Sequence, residues 1–497
     1  MKKKALIALL LFVLLVGGVS IITSVNQSKA RNALADYKAK LRAQGEKLTF
    51  VELGCPFPLE TNANLENFSA LVDRLQGKSQ IPGAGYVEPI QYESPGRALV
   101  IWAGGSMATT NSSYIPTWEQ LSTDMQAAAE LLAELRAELE HPPSYVGYDY
   151  TNYAPTNWPS KLFVHKRKAA QFLAADSIAA LHEHELARAQ TDLHALTQLT
   201  QVHRDDITLV SAMIRVAIAN LGLNVTWQSL QAEGWDEAAL ARLQRDWEAV
   251  DLIAGLEKGF AGERAFGQKG FAVFHGTNVG LQDDYLSGLS LGFSSSKSGF
   301  ARLKEQLSAK AAFAYWRGHM EEDEMFYLHD SQARLEIIRR FKTNTSAASL
   351  QIEIKAQHDA LEKEFDKPLG KYRHLFSAVA IPNFSRAFEV AIQRETERRM
   401  TITAIVLKRF HLRNGHHPAA LAELAPQFLA AELMDPWGGR PFHYYSNADG
   451  TFTLYSVGED GRDDGGDPTS AKSTNAPPDM WTGKDTVWPT PVFPTPP

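Results

Sequence analysis

The segment Leu186-Ala-Arg-Ala-Gln-Thr-Asp-Leu-His-Ala-Leu-Thr-Gln-Leu-Thr-Gln201 decides the fold class of this chain. Its apolar residues recur at intervals of three and four, which places them on one face of a helix: Leu186, Ala189, Leu193, Leu196 and Leu199. A second set with similar spacing follows: Ile207, Val210, Ile214 and Ile218. A helix with a single apolar face has to pack against a neighbour. The sequence therefore predicts a mainly α protein built from an irregular stack of helical hairpins.

Helical patterning extends outward from this segment in both directions. It covers about Ser160–Phe274 and returns in two further stretches, about Phe300–Thr343 and Ser349–Phe365. Between the blocks, Gly276–Gly299 is rich in glycine and serine, and we expect a mobile surface loop there. The acidic run Glu321–Glu324 could bind cations, but we interpret it as a solvated helix face, which is the commoner role of such a run.

The N-terminus carries a candidate membrane segment. Met1-Lys-Lys-Lys4 precedes the 19 uncharged residues Ala5–Thr23, close to the roughly 20 residues that cross a bilayer. Because positive flanks stay in the cytoplasm, the rest of the chain is expected outside it. The alternative is a signal peptide cleaved near Ser28-Lys29-Ala30, but the length of the apolar run favours an uncleaved anchor.

The overall composition excludes several classes of protein. The 497 residues are enough for two to four domains, and 44% hydrophobic with 22% charged residues is typical of a globular protein. The net charge of −7, without a basic stripe beyond the N-terminus, argues against nucleic-acid binding. Cys55 is the only cysteine, which excludes an intrachain disulfide and a zinc site built from several thiolates.

The C-terminal part combines a long helix with two short strands. An apolar stripe predicts a helix over about Asn383–Arg413, and Asn414-Gly415 supplies its left-handed stop. Two strand-like runs, Pro441–Tyr445 and Thr451–Tyr455, flank a hairpin turn at Asn447–Gly450. This order predicts a small α+β domain.

A glycine-rich acidic loop follows the second strand. Ser456–Asp467 holds four aspartates and four glycines within twelve residues. Ca²⁺ takes six to eight oxygen ligands, and such a loop can curl so that carboxylates and carbonyls converge. It is not an EF-hand, because Arg462 stands where the third loop position needs an oxygen ligand. From composition alone, a calcium site and a solvated acidic loop are equally compatible with the segment.

These C-terminal motifs resemble the C-terminal half of the major pseudopilin of type II secretion systems. The matching segments are Asn414–Pro418, Leu421–Leu424, Asp435–Gly438, Tyr444-Tyr445 and Leu454–Gly461. In that family the loop after the tyrosine-serine pair binds Ca²⁺. The resemblance implies that Asp460 and Asp467 are carboxylate ligands and that Val457 contributes its carbonyl. Asp463 and Asp464 are further candidates, since the spacing before Gly465-Gly466 is one residue longer here.

The rest of the chain differs from a pseudopilin. Its apolar run lacks the peptidase-site glutamate, and more than 350 residues separate that run from the matching helix. The remaining chain resembles uncharacterised bacterial membrane-anchored proteins, which implies an inner-membrane, single-pass protein with its body in the periplasm. The predicted organisation is a transmembrane anchor (1–30), a helix and irregular membrane-proximal region (31–159), an α-helical stack (160–382), the pseudopilin-like domain (383–490) and a proline-rich tail (491–497), extended or flexible.

Catalytic motifs are weak. Gly288-Leu-Ser290-Leu-Gly292 matches G-x-S-x-G, but the parallel-sheet context of a nucleophile elbow is missing. His184-Glu185 begins a zinc-protease pattern, and Arg188 occupies the place of its second histidine. We therefore predict no catalytic or cofactor-binding residue.

We expect an extracytoplasmic structural or interaction protein with a calcium-stabilised C-terminal domain. Its expected partners are the membrane and other envelope or secretion proteins. One alternative is an accessory component of a type II secretion or pilus-like system, and another is a serine hydrolase that uses Ser290.

Overall fold

A computed structural model describes residues 25–54, 63–77, 90–105, 117–152, 160–278, 280, 282, 311–343, 345–381, 384–470 and 478–494. The predicted membrane segment Ala5–Thr23 and the candidate nucleophile Ser290 lie outside these residues, as does most of the predicted loop Gly276–Gly299.

The described part is mainly helical, which confirms the predicted mainly α class. Its helices are α1 (25–43), α2 (Phe50–Leu53), α3 (Ala63–Gly77), α4 (Trp118–Leu139), α5 (Ser160–His182), α6 (Leu186–Gln201), α7 (Leu209–Leu230), α8 (Glu237–Glu248), α9 (Leu252–His275), α10 (311–317), α11 (Met320–Lys342), α12 (Ala347–Phe365), α13 (Gly370–Arg373), α14 (Leu375–Ala380) and α15 (Phe384–Asn414). Its strands are β1 (Tyr92–Ser94), β2 (Arg97–Leu99), β3 (His443–Ser446), β4 (Phe452–Ser456), β5 (Thr486–Val487) and β6 (Thr490–Val492).

Local sequence signals set several helix starts in the stack. Thr208, Asp236 and Asp251 are N-caps of α7, α8 and α9, and each side chain accepts a hydrogen bond from the backbone N–H three residues later. Such caps satisfy donors that the first helical turn leaves without a partner. The helical hairpins then pack in sequence, with α5 against α6 and α7, and α7 against α9.

Glycines let α9 approach its neighbours closely. A Cβ atom at Gly262 would lie 1.7 Å from the carbonyl oxygen of Ile207. A Cβ at Gly267 would lie 2.1 Å from the ring of Tyr327 on α11. The hydroxyl of Tyr327 donates to the Glu263 carbonyl over 2.6 Å. The glycines therefore fix how deeply α9 sits between the start of α7 and α11.

The long helix α15 joins the C-terminal unit to the stack. It packs against α7, α8 and α9. The largest cluster of buried hydrophobic side chains includes residues of both parts, from Phe68 in α3 to Met480 in the C-terminal unit. By length and composition alone, Leu209–Leu230 and a stretch within Leu375–Asn414 could cross a membrane, and 67% and 40% of their apolar windows are buried inside the protein. Helices α3 to α9 therefore share their main interior with α15, while α1 and α2 pack in smaller clusters of their own.

Two three-stranded sheets complete the fold. The first has the order β1-β2-β6, and the second β3-β4-β5. The predicted hairpin is present as β3 and β4, which pair antiparallel with Tyr444 opposite Leu454. In the first sheet, β6 lies parallel to β2 and pairs Arg97 with Thr490. The first residues of the predicted proline-rich tail, Pro491 and Val492, belong to β6 and are paired with β2.

Candidate functional site

A buried carboxylate holds the entrance of the glycine-rich loop. Asp435 Oδ1 accepts hydrogen bonds from Ser456 Oγ at 2.7 Å and from Trp437 N at 3.0 Å. Its Oδ2 accepts from Val457 N at 3.1 Å. Burial raises the pKa of Asp435, and these donors work against the rise. Asp435 thus ties the turn before the hairpin to the end of β4.

The loop curls because its glycines adopt left-handed backbone conformations. Positive φ angles of 69°, 68°, 76° and 79° occur at Gly458, Gly461, Gly465 and Gly466. A residue with a Cβ adopts this conformation only at a cost, whereas glycine does so freely. The high glycine content of this segment is therefore a requirement of the backbone path.

Asp485 closes the loop, a role that the sequence patterns did not indicate. Its Oδ2 accepts backbone N–H hydrogen bonds from Asp464 at 3.1 Å, Gly466 at 2.7 Å and Asp467 at 3.2 Å. Asp485 directly precedes β5, a strand of only two residues. The only local sequence signal for its position is therefore an aspartate followed by the β-branched pair Thr486-Val487. Asp485 lies 18 residues after Asp467, the last residue of the loop.

Two of the predicted calcium ligands accept hydrogen bonds from other residues of the protein. Asp467 accepts from Lys484 Nζ at 2.6 Å and from Thr469 N at 2.9 Å, and these bonds lower the pKa of Asp467 to about 2. Asp463 accepts from Tyr455 Oη at 3.1 Å and from Gly465 N at 2.9 Å. The Gly465 N–H is the main cause of the lowered pKa of Asp463.

Of the other predicted ligands, Asp460 and Asp464 are more open. Asp460 is exposed, and its carboxylate accepts only from Arg462 N at 3.0 Å within the described part. Asp464 is exposed, and its carboxylate accepts no hydrogen bond from a described residue, although its backbone N–H is bound by Asp485. The backbone N–H of Val457 donates to Asp435, and Val457 is buried. All five residues thus lie in or beside one loop.

The described residues contain no group of three or more His, Cys, Asp or Glu side chains placed to hold a metal ion. The loop offers only oxygen donors, the type that Ca²⁺ prefers. Its chemistry therefore fits calcium, while the side chains of Asp463 and Asp467 are engaged by separate partners in this structure. The calcium site stays a prediction.

The acidic run on α11 is not a solvated face, and that interpretation was wrong. Glu321, Asp323 and Glu324 are all at most 5% exposed. Glu321 pairs with Arg31 at 3.2 Å, and Glu324 pairs with Lys38. Because both basic residues lie on α1, nearly 300 residues earlier, local sequence could not show that the acidic side chains meet cations.

Asp323 has a different role within the same run. Its carboxylate accepts from the Trp316 indole N–H at 2.6 Å and from the backbone N–H groups of Phe376 at 3.0 Å and Ser377 at 3.3 Å. The last two donors belong to the first turn of α14. Asp323 thus satisfies a helix terminus that another element brings into the core.

A second charged contact fixes the chain just after α1. The carboxylate of Glu46 accepts from Arg264 Nη2 at 2.9 Å, from Gln332 Nε2 at 3.0 Å and from Arg339. Burial alone would raise the pKa of Glu46, but the three donors outweigh it and lower the pKa to about 2. Glu46 therefore connects α1 to α9 and α11 as an anion.

Residues in and around the motif that begins at His184-Glu185 have structural partners. The ring of His182 stacks on Trp118 with centroids 3.8 Å apart, and Arg188 pairs with Glu183 and Glu185 at 2.7 Å. Arg188 thus forms ion pairs at the position where a zinc protease needs a ligand. Comparisons with protein-family profiles, with curated proteins and with solved structures find no match for the chain.

Proposed function

We propose that the chain is a membrane-anchored, extracytoplasmic structural or interaction protein whose helical body is held rigidly to the helix that follows the anchor. The support is the docking of α1. Lys38 and Arg31 reach buried carboxylates of α11, and Glu46 reaches Arg264 and Arg339. Buried charges that are paired resist separation, because an unpaired partner left in the core is costly.

The location is tested by fusing alkaline phosphatase, which is active only outside the cytoplasm, after Pro497. We expect phosphatase activity and retention of the fusion in the membrane pellet after alkaline carbonate washing. A matched fusion without residues 1–24 should lose both properties. An inactive fusion, or one released by carbonate, contradicts the proposal.

The function itself is tested by in-cell crosslinking and purification of the full-length chain. A structural or interaction protein should yield a reproducible set of envelope proteins that is absent when the α1 contact is broken by Lys38→Glu. Recovery of type II secretion components in that set favours the accessory role, for which the pseudopilin-like order of motifs is the support. Labelling by a serine-reactive phosphonate that disappears in Ser290→Ala would replace the proposal with a hydrolase.

We propose, second, that the loop Ser456–Asp467 takes Ca²⁺. The support is its oxygen-only donor set and the exposed carboxylates of Asp460 and Asp464. Because Lys484 pairs with Asp467, an ion that uses Asp467 has to displace an ammonium group. The C-terminal unit would then gain stability from the metal as well as from Asp485.

Calcium calorimetry on the full-length chain tests this site. We expect binding that chelation reverses, a higher melting temperature with Ca²⁺ than without it, and tighter binding in Lys484→Gln. Asp460→Asn should weaken binding, whereas Asp359→Asn, in an exposed pair with Lys355 on α12, should not. Absence of heat together with an unchanged melting temperature rejects the site.

A further inference from the structure

A cavity of about 300 Å³ opens where four elements of the fold meet. Its walls come from the C-terminal end of α7, from α15, from the β3–β4 turn and from the segment that leads into β6. Its lining includes Lys408, His411, His417, Phe452, Trp488 and Pro491. This volume is at the lower end of the range for small-molecule sites, roughly 300 to 1,000 Å³.

The charge of this cavity differs from that of its neighbours. Lys408, His411 and His417 line it, and none of the described lining residues is an aspartate or glutamate. Three other cavities, at Asp251, at Asp206 and at Glu321, each include several carboxylates. In a chain of net charge −7, a basic cavity free of lining carboxylates favours an anion by simple Coulomb attraction.

Lys408 supplies the positive charge. Its ammonium donates to the carbonyls of Leu230 and of Ala232, the latter at 3.3 Å, at the C-terminal end of α7. Two acceptors leave one of the three ammonium hydrogens available. Burial lowers the pKa of Lys408 to about 8, so the group is mostly charged at neutral pH. Asp449, next to the rim residue Gly450, is engaged by Thr451 N at 2.9 Å and Thr451 Oγ1 at 2.6 Å.

Aromatic surfaces accompany this charge. The ring of His417 lies 5.1 Å from that of Phe452 and 4.7 Å from that of His411. Trp488 lines the cavity, and its indole N–H donates to no acceptor among the described residues. Burial, followed by the charges of His411 and His416, lowers the pKa of His417. A flat or branched apolar group can contact Phe452 and Trp488 while an anionic group meets Lys408.

We propose that this cavity binds a small organic carboxylate with an apolar body. The carboxylate pairs with the Lys408 ammonium, and the apolar part lies against Phe452, Trp488 and the tail prolines. The site is independent of the calcium loop and of the membrane anchor. It gives the C-terminal unit a ligand that bridges the helical stack, the hairpin and the tail.

Benzoate is the probe, and saturation-transfer NMR on the full-length chain measures its dissociation constant. We expect benzoate to bind at least tenfold more tightly than benzamide, which has the same ring without the charge, and than acetate or phosphate, which lack the apolar body. Equal affinity for benzoate and benzamide, or no transfer to benzoate, overturns the proposal. This comparison uses the unmodified protein, so no folding defect can obscure it.

A variant series assigns the charge to one residue. Lys408→Gln should weaken benzoate binding about tenfold, the usual effect of a lost charge-assisted hydrogen bond, and Lys408→Arg should retain most of it. The matched control is Lys258→Gln, a lysine paired with Asp205 beside another cavity, and it should leave affinity unchanged. Circular dichroism establishes that each variant is folded. Full affinity in folded Lys408→Gln refutes the assignment.

Discussion

Asp323 shows how a single carboxylate can organise a core. It is completely buried and accepts from one indole and two backbone donors. Replacing it with alanine leaves all three donors without acceptors, and we expect Asp323→Ala to lower the free energy of unfolding by about 3 kcal/mol. Urea unfolding measures this. Asp359→Ala, in an exposed pair with Lys355, should cost less than about 0.5 kcal/mol, and similar losses for the two variants contradict the assignment.

Glu46 gives the protein a definite pH dependence. Its pKa in the folded state is about 2, below the ordinary value of 4.5, so its stabilising contribution is complete above pH 4.5 and is lost as the pH falls towards 2. We expect Glu46→Gln to destabilise the protein at pH 7 and to flatten the fall in stability over that acidic range. Unfolding curves at pH 7, 5, 4 and 3 measure the effect. Glu389→Gln, in a surface pair with Arg386, should keep the wild-type slope, and a Glu46→Gln curve parallel to wild type counts against the prediction.

At the scale of the element, the glycines of α9 lower the intrinsic helix propensity of this segment but allow it to pack closely against its neighbours. Alanine is the better helix former by about 1 kcal/mol, but a Cβ at Gly262 would overlap the Ile207 carbonyl at 1.7 Å. We therefore expect Gly262→Ala to destabilise the protein by about 3 kcal/mol, because α9 has to move outward. Thermal melting provides the measurement. Gly105→Ala, where a Cβ meets no atom within 4 Å, should be nearly neutral, and a more stable Gly262→Ala would show that the packing is looser than described.

Elements were predictable where their signals are local. The apolar stripe and the Asn414-Gly415 stop located α15 to within a residue at its end, and alternation with a turn located β3 and β4. Partners distant in sequence were not predictable. The periodicity predicts that Glu321–Glu324 lie on one helix. It cannot predict that α1 packs against this helix and that Arg31 and Lys38 pair with its carboxylates. Asp485 was missed for the same reason, since its role depends on backbone donors from an earlier loop.

At the scale of the molecule, β6 ties the end of the described chain to β2, which lies almost 400 residues earlier. Val100 N donates to the Val492 carbonyl at 2.9 Å, and Thr490 N donates to the Gly96 carbonyl at 2.9 Å. Truncation after Pro489 removes these bonds and leaves one edge of β2 unpaired. We expect a loss of about 2 to 3 kcal/mol in unfolding free energy and faster proteolysis within residues 90–105.

Limited proteolysis with mass spectrometry locates the first cut, and chemical unfolding gives the stability. Truncation after Pro494 keeps the strand and is the control, which should behave as wild type. If the variant truncated after Pro489 is cleaved first outside residues 90–105, and at the wild-type rate, then β2 is held in place without β6.

The pairing of β2 with β6 also has a consequence for biosynthesis. Residues 97–99 of β2 are synthesised long before residues 490–492 of their parallel partner β6, so one edge of β2 stays unpaired until β6 has been made. Contacts between segments so distant in sequence form slowly, and a bare strand edge is a template for pairing between chains. Nascent molecules of this protein therefore pass through a stage in which aggregation competes with completion of the first sheet, and a chaperone that shields residues 97–99 would act at that stage.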